Sequence, residues 1–316
     1  MNPTQPKQSV DLVIPVYNEE GVVEQTHARI SASIENLPYN FTIYYVDDGS
    51  TDGTLDSLRS LDEAHVRILE LSRNFGHQAA LTAGMDATRG DIIITMDGDG
   101  QHPPEMIPEM IDLINNGYDV VQTQRVDLAQ PPSFKKWTSG LFYRLINSIS
   151  GTRVLPGTAD FRALSRQAVD ALKAMPEYHR FLRGMVSWIG FSTVILPYQP
   201  ADRISGISKY SFSKMFRLAM DAIFSFSLMP LYIGLSMGGL LLFLALAEMV
   251  YVLSFWVTGR TSNLAPGWSS LMFVILIVGG ILMVLLGFIG VYVGYIFQEV
   301  KRRPVYLVKK GEIEND

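Results

Sequence analysis

Cysteine is absent from all 316 residues, which excludes a disulfide scaffold, a thiolate metal centre and a cysteine nucleophile. Charge is also scarce: 18% of residues are charged, against about 25% in ordinary soluble proteins. A net charge of -5 speaks against a basic nucleic-acid binder, so no nucleic-acid partner is expected. No glycine-rich dinucleotide or P-loop signature follows the first strand-like segment, so those readings lose their main support. Met1 to Ser9 is polar with no apolar core, and no signal peptide is expected. The five histidines form neither HxxxH nor HExxH, so His77 and His102 read as structural or supporting residues.

What the chain does have is apolar sequence, 48% of the total, and it is unevenly spread. Leu228 to Val257 contains one charge, Glu248, and Leu271 to Phe297 contains none. About 20 apolar residues span a bilayer, so two transmembrane helices are expected. Lys209, Lys214 and Arg217 precede the first run; Lys301, Arg302, Arg303, Lys309 and Lys310 follow the second; only Arg260 lies between. Under the positive-inside rule both flanks face the cytoplasm. Ser211 to Phe226 carries Phe212, Met215, Phe216, Ala219, Ile223 and Phe224 at helical spacing and reads as an interfacial helix on the lipid bilayer. Gly234, Gly238, Gly290 and Gly294 permit close helix approach, within the hairpin or in a homo-oligomer such as a dimer or tetramer. The expected organisation is a cytoplasmic α/β domain over 1–200, a basic loop and amphipathic helix over 201–227, a membrane hairpin over 228–298 and a basic tail over 299–316.

In the first 200 residues, Val10–Tyr17, Thr42–Asp48, Val66–Leu71, Asp91–Asp97 and Asp119–Thr123 read as strands. Helical patterns cover Glu19–Glu35, Asp52–Leu61, His77–Thr88 and Pro104–Asn116. The alternation implies βαβ units and a mainly parallel sheet, buried on both faces because the strands are continuously apolar. Ligands of such sheets bind at the carboxyl ends of the strands. Those ends are acidic: Asn18-Glu19-Glu20 after the first, Asp47-Asp48 at the second, and Asp97-Gly98-Asp99 after the fourth. Carboxylates two apart at a glycine turn suit Mg²⁺ or Mn²⁺ and leave coordination positions for substrate phosphates. One acidic turn alone is as well explained as a cap; three on one sheet edge are not.

The segments Val13-Ile14-Pro15-Val16-Tyr17-Asn18-Glu19, Val46-Asp47-Asp48-Gly49-Ser50-Thr51-Asp52 and Asp97-Gly98-Asp99 resemble the GT-A domain of family 2 glycosyltransferases. Arg73-Asn74-Phe75-Gly76-His77-Gln78-Ala79-Ala80-Leu81 and Gly100-Gln101-His102-Pro103-Pro104-Glu105 narrow the resemblance to the polyprenyl-phosphate glycosyltransferases, with the bactoprenol glucosyltransferases nearest. The resemblance implies inverting transfer of one sugar, best matched by glucose from UDP-glucose, to undecaprenyl or another polyprenyl phosphate. Mannosyl or modified-arabinosyl transfer, to undecaprenyl or dolichyl phosphate, is the alternative. It assigns Pro15, Tyr17, Glu19, Asp47, Asp48, Asp97 and Gln101 to the nucleotide sugar. Asp97, Asp99 and Gln101 fall to the metal. Arg125, Arg162, Ser208 and Lys209 fall to the acceptor phosphate, and Asp99, Asp160 and Arg203 to catalysis. Asp160 is a candidate base, an orienting group for a sugar hydroxyl or Arg162, or a simple loop cap. Gly98, where many relatives carry alanine, is expected to matter little.

Two rival readings remain at this point. A processive polysaccharide synthase shares the acidic motifs but requires a QxxRW segment, which does not occur here. A non-catalytic lipid-binding scaffold would tolerate a degenerate metal site, yet Asp97, Asp99 and Gln101 are all present.

Overall fold

The computed structural model describes residues 7–61, 63–126, 158–199, 229–259 and 267–310. The chain divides into two compact units, one comprising Met1–Met215 with Arg303–Asp316 and the other Phe216–Arg302.

Among the described residues, the first unit is built on one eight-stranded sheet. Its strands are β1 (Ser9–Val16), β2 (Asn40–Asp47), β3 (Val66–Leu71), β4 (Ile92–Thr95), β5 (Val120–Arg125), β6 (Thr158–Ser165), β7 (Thr193–Tyr198) and β8 (Val308–Lys310). They lie in the order β7-β5-β6-β4-β1-β2-β3-β8. Strands β4, β1, β2 and β3 run parallel, as do β5 and β7; β6 is antiparallel to both neighbours and β8 to β3. The mostly parallel expectation is met, with β6 in the interior of the sheet and β8 at its edge as the exceptions.

The helices of this unit are α1 (Val23–Ile34), α2 (Thr54–Ser60), α3 (His77–Ala87), α4 (Ile107–Asn115), α5 (Arg166–Lys173) and α6 (Leu182–Trp188). They cover both faces, which is why β1 is apolar at every position but Ser9 and Asp11 and buried from Val10 onward. Val10, Leu12, Ile14 and Val16 pack with Val23 and Ile30 of α1, Leu58 of α2 and Ile107, Met110 and Ile111 of α4. The other face meets α3, where a Cβ at Gly84 would lie 2.2 Å from Val13 Cγ1. Only a glycine lets α3 sit this close to the sheet, which offsets its poor helix propensity. Side chains alternate along β6: Phe161 and Ala163 join the α1/α4 core, whereas Arg162 and Leu164 meet Leu81, Met85, Leu172, Leu182 and Val186 of α3, α5 and α6.

β8 was not foreseen. Leu71 pairs with Val308 and Glu70 with Lys310. Ser72 N–H donates to the Leu307 carbonyl at 2.8 Å, Tyr306 Oη to Asp86 Oδ2 at 2.8 Å and Lys309 Nζ to Glu70 Oε1 at 2.6 Å.

The second unit contains α7 (Met229–Val257) and α8 (Trp268–Lys301). Among the described residues, Ile277–Lys301 is long and apolar enough to cross a membrane. The amphipathic segment Ser211–Phe226, together with Arg203, Ser208 and Lys209, lies outside the described residues.

Candidate active site

The carboxyl ends of β1, β2 and β4 open on one edge, where hydrogen bonds between loops fix the acidic segments. Asn18 adopts a left-handed φ of 53°, a conformation asparagine tolerates. Its side chain accepts from Thr51 N–H at 2.8 Å, and its own N–H donates to Ser50 Oγ at 3.0 Å. Glu19 N–H donates to Thr54 Oγ1 at 2.8 Å, and Glu20 Oε2 accepts from Gly53 N–H at 3.1 Å. The ends of β1 and β2 therefore form one stitched surface, with Tyr17 exposed on it.

Asp47 and Asp48 diverge. Asp47 is buried and accepts from Ser50 N–H at 3.2 Å. Asp48 points across to the loop before α3, taking Phe75 N–H at 2.7 Å and Gly76 N–H at 2.9 Å. Burial raises both carboxyls above their usual range, against the pull of these bonds. With both oxygens on backbone donors, Asp48 anchors the 73–77 segment, a role the sequence analysis did not assign. Gly49 at φ +68° makes the approach possible, since a Cβ there would meet the Arg73 backbone at 2.5 Å.

The anchored segment is a hub. His77 Nε2 lies 3.4 Å from Asp97 Oδ1 and 3.4 Å from Asp160 Oδ2. Its neighbour Gln78 accepts from Leu182 N–H at 3.0 Å through Oε1, holding the start of α6. Burial would lower His77, but the bond to Asp160 and the charges of Asp97 and Asp160 outweigh it and raise it to about 9.

Asp97 and Asp99 follow β4 as expected. His102 Nδ1 accepts from Asp97 N–H at 2.9 Å, and the ring stacks on Phe161 at 5.1 Å between centroids. Asp99 Oδ1 accepts from Gln101 N–H at 3.1 Å. Arg29 of α1 reaches the Gly100 carbonyl at 3.1 Å and pins the turn. Gly98 corrects the sequence expectation: a Cβ would lie 2.7 Å from Val16 Cγ1 and 3.1 Å from the Pro15 carbonyl oxygen, so alanine requires β1 to give way.

A divalent ion fits these residues in part. Asp97 Oδ1 is buried without a hydrogen-bond partner, as a ligand atom would be. Among the described residues no three His, Asp or Glu side chains gather into a ready cage. Two carboxylates with Gln101 suit a hard cation that takes its remaining oxygens from substrate and water.

Asp160 is neither a loop cap nor an exposed base. It stands within β6, 4% exposed. Arg183 grips it with both Nε, at 3.2 Å, and Nη2, at 2.9 Å. Arg162 Nη2 makes a further short bond to Asp160 Oδ1. Burial would raise its carboxyl, but Arg183, His77 and Arg162 hold it well below the usual carboxylate range. Both of its oxygens are occupied by guanidiniums. Arg162, expected at the acceptor phosphate, is itself 2% exposed and bonds to Asp160. Arg183, missed in the sequence, has a side chain 30% exposed. Arg125 ends β5.

The sheet is mainly parallel, and the carboxylates after β4 lie where ligands of such sheets bind, at the carboxyl ends of the strands. The sequence profile for Glycosyl transferase family 2 matches residues 11–173, and the chain belongs to that family. It is 40% identical over 96% of its length to an uncharacterized glycosyltransferase, YkcC, of Bacillus subtilis, covering 94% of that protein. It is 36% identical over 97% of its length to the SfII prophage-derived bactoprenol glucosyl transferase of Shigella flexneri, covering 99% of it. Among solved structures, a mannosyltransferase of Pyrobaculum calidifontis in complex with GDP-Man and Mn²⁺ aligns at 17% identity with a TM-score of 0.47, over 69% of this chain and 61% of that one.

Proposed function

We propose that the chain transfers a single sugar from a nucleotide donor to a polyprenyl phosphate at the cytoplasmic face of a membrane that α7 and α8 both span. UDP-glucose and undecaprenyl phosphate are the substrates the reading favours; GDP-mannose and an arabinosyl donor are its alternatives. The observation that carries it is the pair of charge clusters at one sheet edge. Carboxylates at Asp97 and Asp99 suit a metal-bound diphosphate, and guanidiniums on β6 and α6 suit a second phosphate. The full-length similarity to a bactoprenol glucosyl transferase supports the lipid acceptor.

Asp97, Asp99 and Gln101 would hold Mg²⁺ or Mn²⁺, which when bound supplies a Lewis acid to the leaving diphosphate. Tyr17 and the stitched 18–20 and 50–54 loops offer the face for base and ribose. A phosphate monoester has its second pKa near 6, so at neutral pH its oxygen is already a nucleophile. That oxygen forms the new bond to the anomeric carbon as the bond to the diphosphate breaks, and the nucleoside diphosphate leaves with the electron pair. No proton has to be removed, in keeping with the weak basicity of Asp160. His77 and Asp160 serve to fix the geometry between the two clusters.

The test is full-length protein in detergent with undecaprenyl phosphate, Mg²⁺ or Mn²⁺ and radiolabelled nucleotide sugars. Label should enter the lipid phase from one donor and be lost with EDTA and with Asp99→Ala. Absence of transfer from every donor, with polyprenyl phosphate still bound, overturns the reading in favour of a lipid-binding scaffold.

A further inference from the structure

The pairing around Asp160 is unbalanced. Two guanidiniums, Arg162 and Arg183, converge on one carboxylate. Arg162 is 98% buried by residue, being 2% exposed, and its Nη1 is a buried donor with no hydrogen-bond partner. A buried donor left without a partner is costly. The two arginines also differ in reach, with side chains 3% exposed for Arg162 and 30% for Arg183. Arg162 lies under α3, α5 and α6, so any anion meets Arg183 first.

The position of Arg183 is over-determined. Asp160 engages its Nε and Nη2 edge, and Gln78 holds the N–H of Leu182, the residue before it. His77, next to Gln78, joins the same Asp160 to Asp97. The hub therefore sets Arg183 at a fixed distance from the carboxylates proposed to carry the donor's metal. A guanidinium so held is pre-ordered for phosphate, which it binds by charge-assisted, frequently bidentate hydrogen bonds.

We propose that Arg183 recognises the phosphate monoester of the acceptor, with Asp160 and Arg162 as its positioning residues. The inference rests on the reaction proposed above and deepens it. The donor diphosphate has a metal to meet its charge; the acceptor phosphate needs a fixed cation of its own, and Arg183 supplies it on a rigid element. Asp160 then acts as an orienting anion that aims a cation at substrate.

Steady-state kinetics on the full chain in detergent, varying undecaprenyl phosphate and the nucleotide sugar separately, tests this. Arg183→Ala should raise KM for the lipid about 10- to 100-fold, the range for a lost charge-assisted hydrogen bond. KM for the donor and the affinity for free nucleoside diphosphate should stay within about twofold. Arg183→Lys should recover part of the loss, because it restores charge without the fork. Arg183→Gln keeps much of the side-chain volume and covers the case in which the alanine variant fails to fold. An unchanged KM for the lipid overturns the proposal, and so does a rise confined to the donor, which would assign Arg183 to the diphosphate. Wild-type protein that moves no sugar to the lipid overturns instead the reaction on which the proposal rests.

Discussion

Asp160→Asn separates an orienting anion from a catalytic base. The substitution keeps shape but removes the charge that Arg162 and Arg183 share. Arg183, with a side chain 30% exposed, can turn toward water; Arg162, 3% exposed, cannot. One uncompensated buried charge costs about 3–5 kcal/mol. For a unit of this size each kcal/mol moves the melting midpoint by about 2–4 °C, so the variant should melt roughly 6–20 °C below wild type. Tryptophan fluorescence of detergent-purified protein during heating reads this directly. The sign of the pH dependence follows from the lowered pKa of Asp160. Its stabilisation is complete above the unfolded carboxylate value of about 3.9 and is lost only as pH falls through the lower folded value. The deficit of Asp160→Asn should therefore persist across the neutral and mildly acidic range. Replacing Arg162 by Met in the Asp160→Asn background should restore most of the midpoint without restoring transfer. A midpoint within about 2 °C of wild type, equivalent to no more than about 1 kcal/mol in a unit of this size, combined with abolished activity would refute the reasoning and return Asp160 to the role of base.

Asp48→Ala strands the N–H groups of Phe75 and Gly76; it should cost about 2–3 kcal/mol and speed hydrogen exchange at those two amides before others in the sheet. Gly98→Ala should cost about 1–3 kcal/mol by overpacking against Val16, and Val16→Ala should relieve much of it in a double-mutant cycle. Tyr306→Phe should cost about 1 kcal/mol by leaving Asp86 without its donor and should quicken tryptic cleavage at Lys309 or Lys310. Lys309→Met, whose side chain is 65% exposed, should cost under about 1 kcal/mol on its own.

The strands read most readily from the sequence are those whose surroundings are uniformly apolar. β3 spans Val66–Leu71 as expected, and β1 and β2 differ from expectation only at their ends. β6 escaped because its polar residues answer one another across space: Asp160 and Arg162 look like loop charges until α6 brings Arg183 to them. β7 contains Pro197, tolerable on an edge strand such as this one but a signal against a strand in sequence. β8 is three residues long, too short to carry a period. At the site, the strand-end rule found Asp97 and Asp99 because their chemistry is local to one turn. The duties of Asp48 and Arg183 depend on partners 27 and 23 residues away, and a lone arginine before a glycine carries no signal by itself. The 73–81 segment stood out as a resemblance, but its work as the tie between β2, β4, β6 and α6 required the fold.

The eighth strand changes what kind of object the apolar hairpin is. Because residues 303–310 rejoin the sheet, the helical pair is an insertion within the globular unit and not an appendage at its end. Lys309 and Glu70 are separated by 239 positions, so the contact that closes the sheet cannot form until both long helices have been synthesised. Through that interval β3 presents a bare edge, the kind of surface that recruits other strands. A soluble fragment ending near residue 200 would keep that edge permanently, and Glu70 would lose one of its two cations. A well-behaved fragment needs the distant strand carried along, joined by a linker in place of the helices it normally encloses.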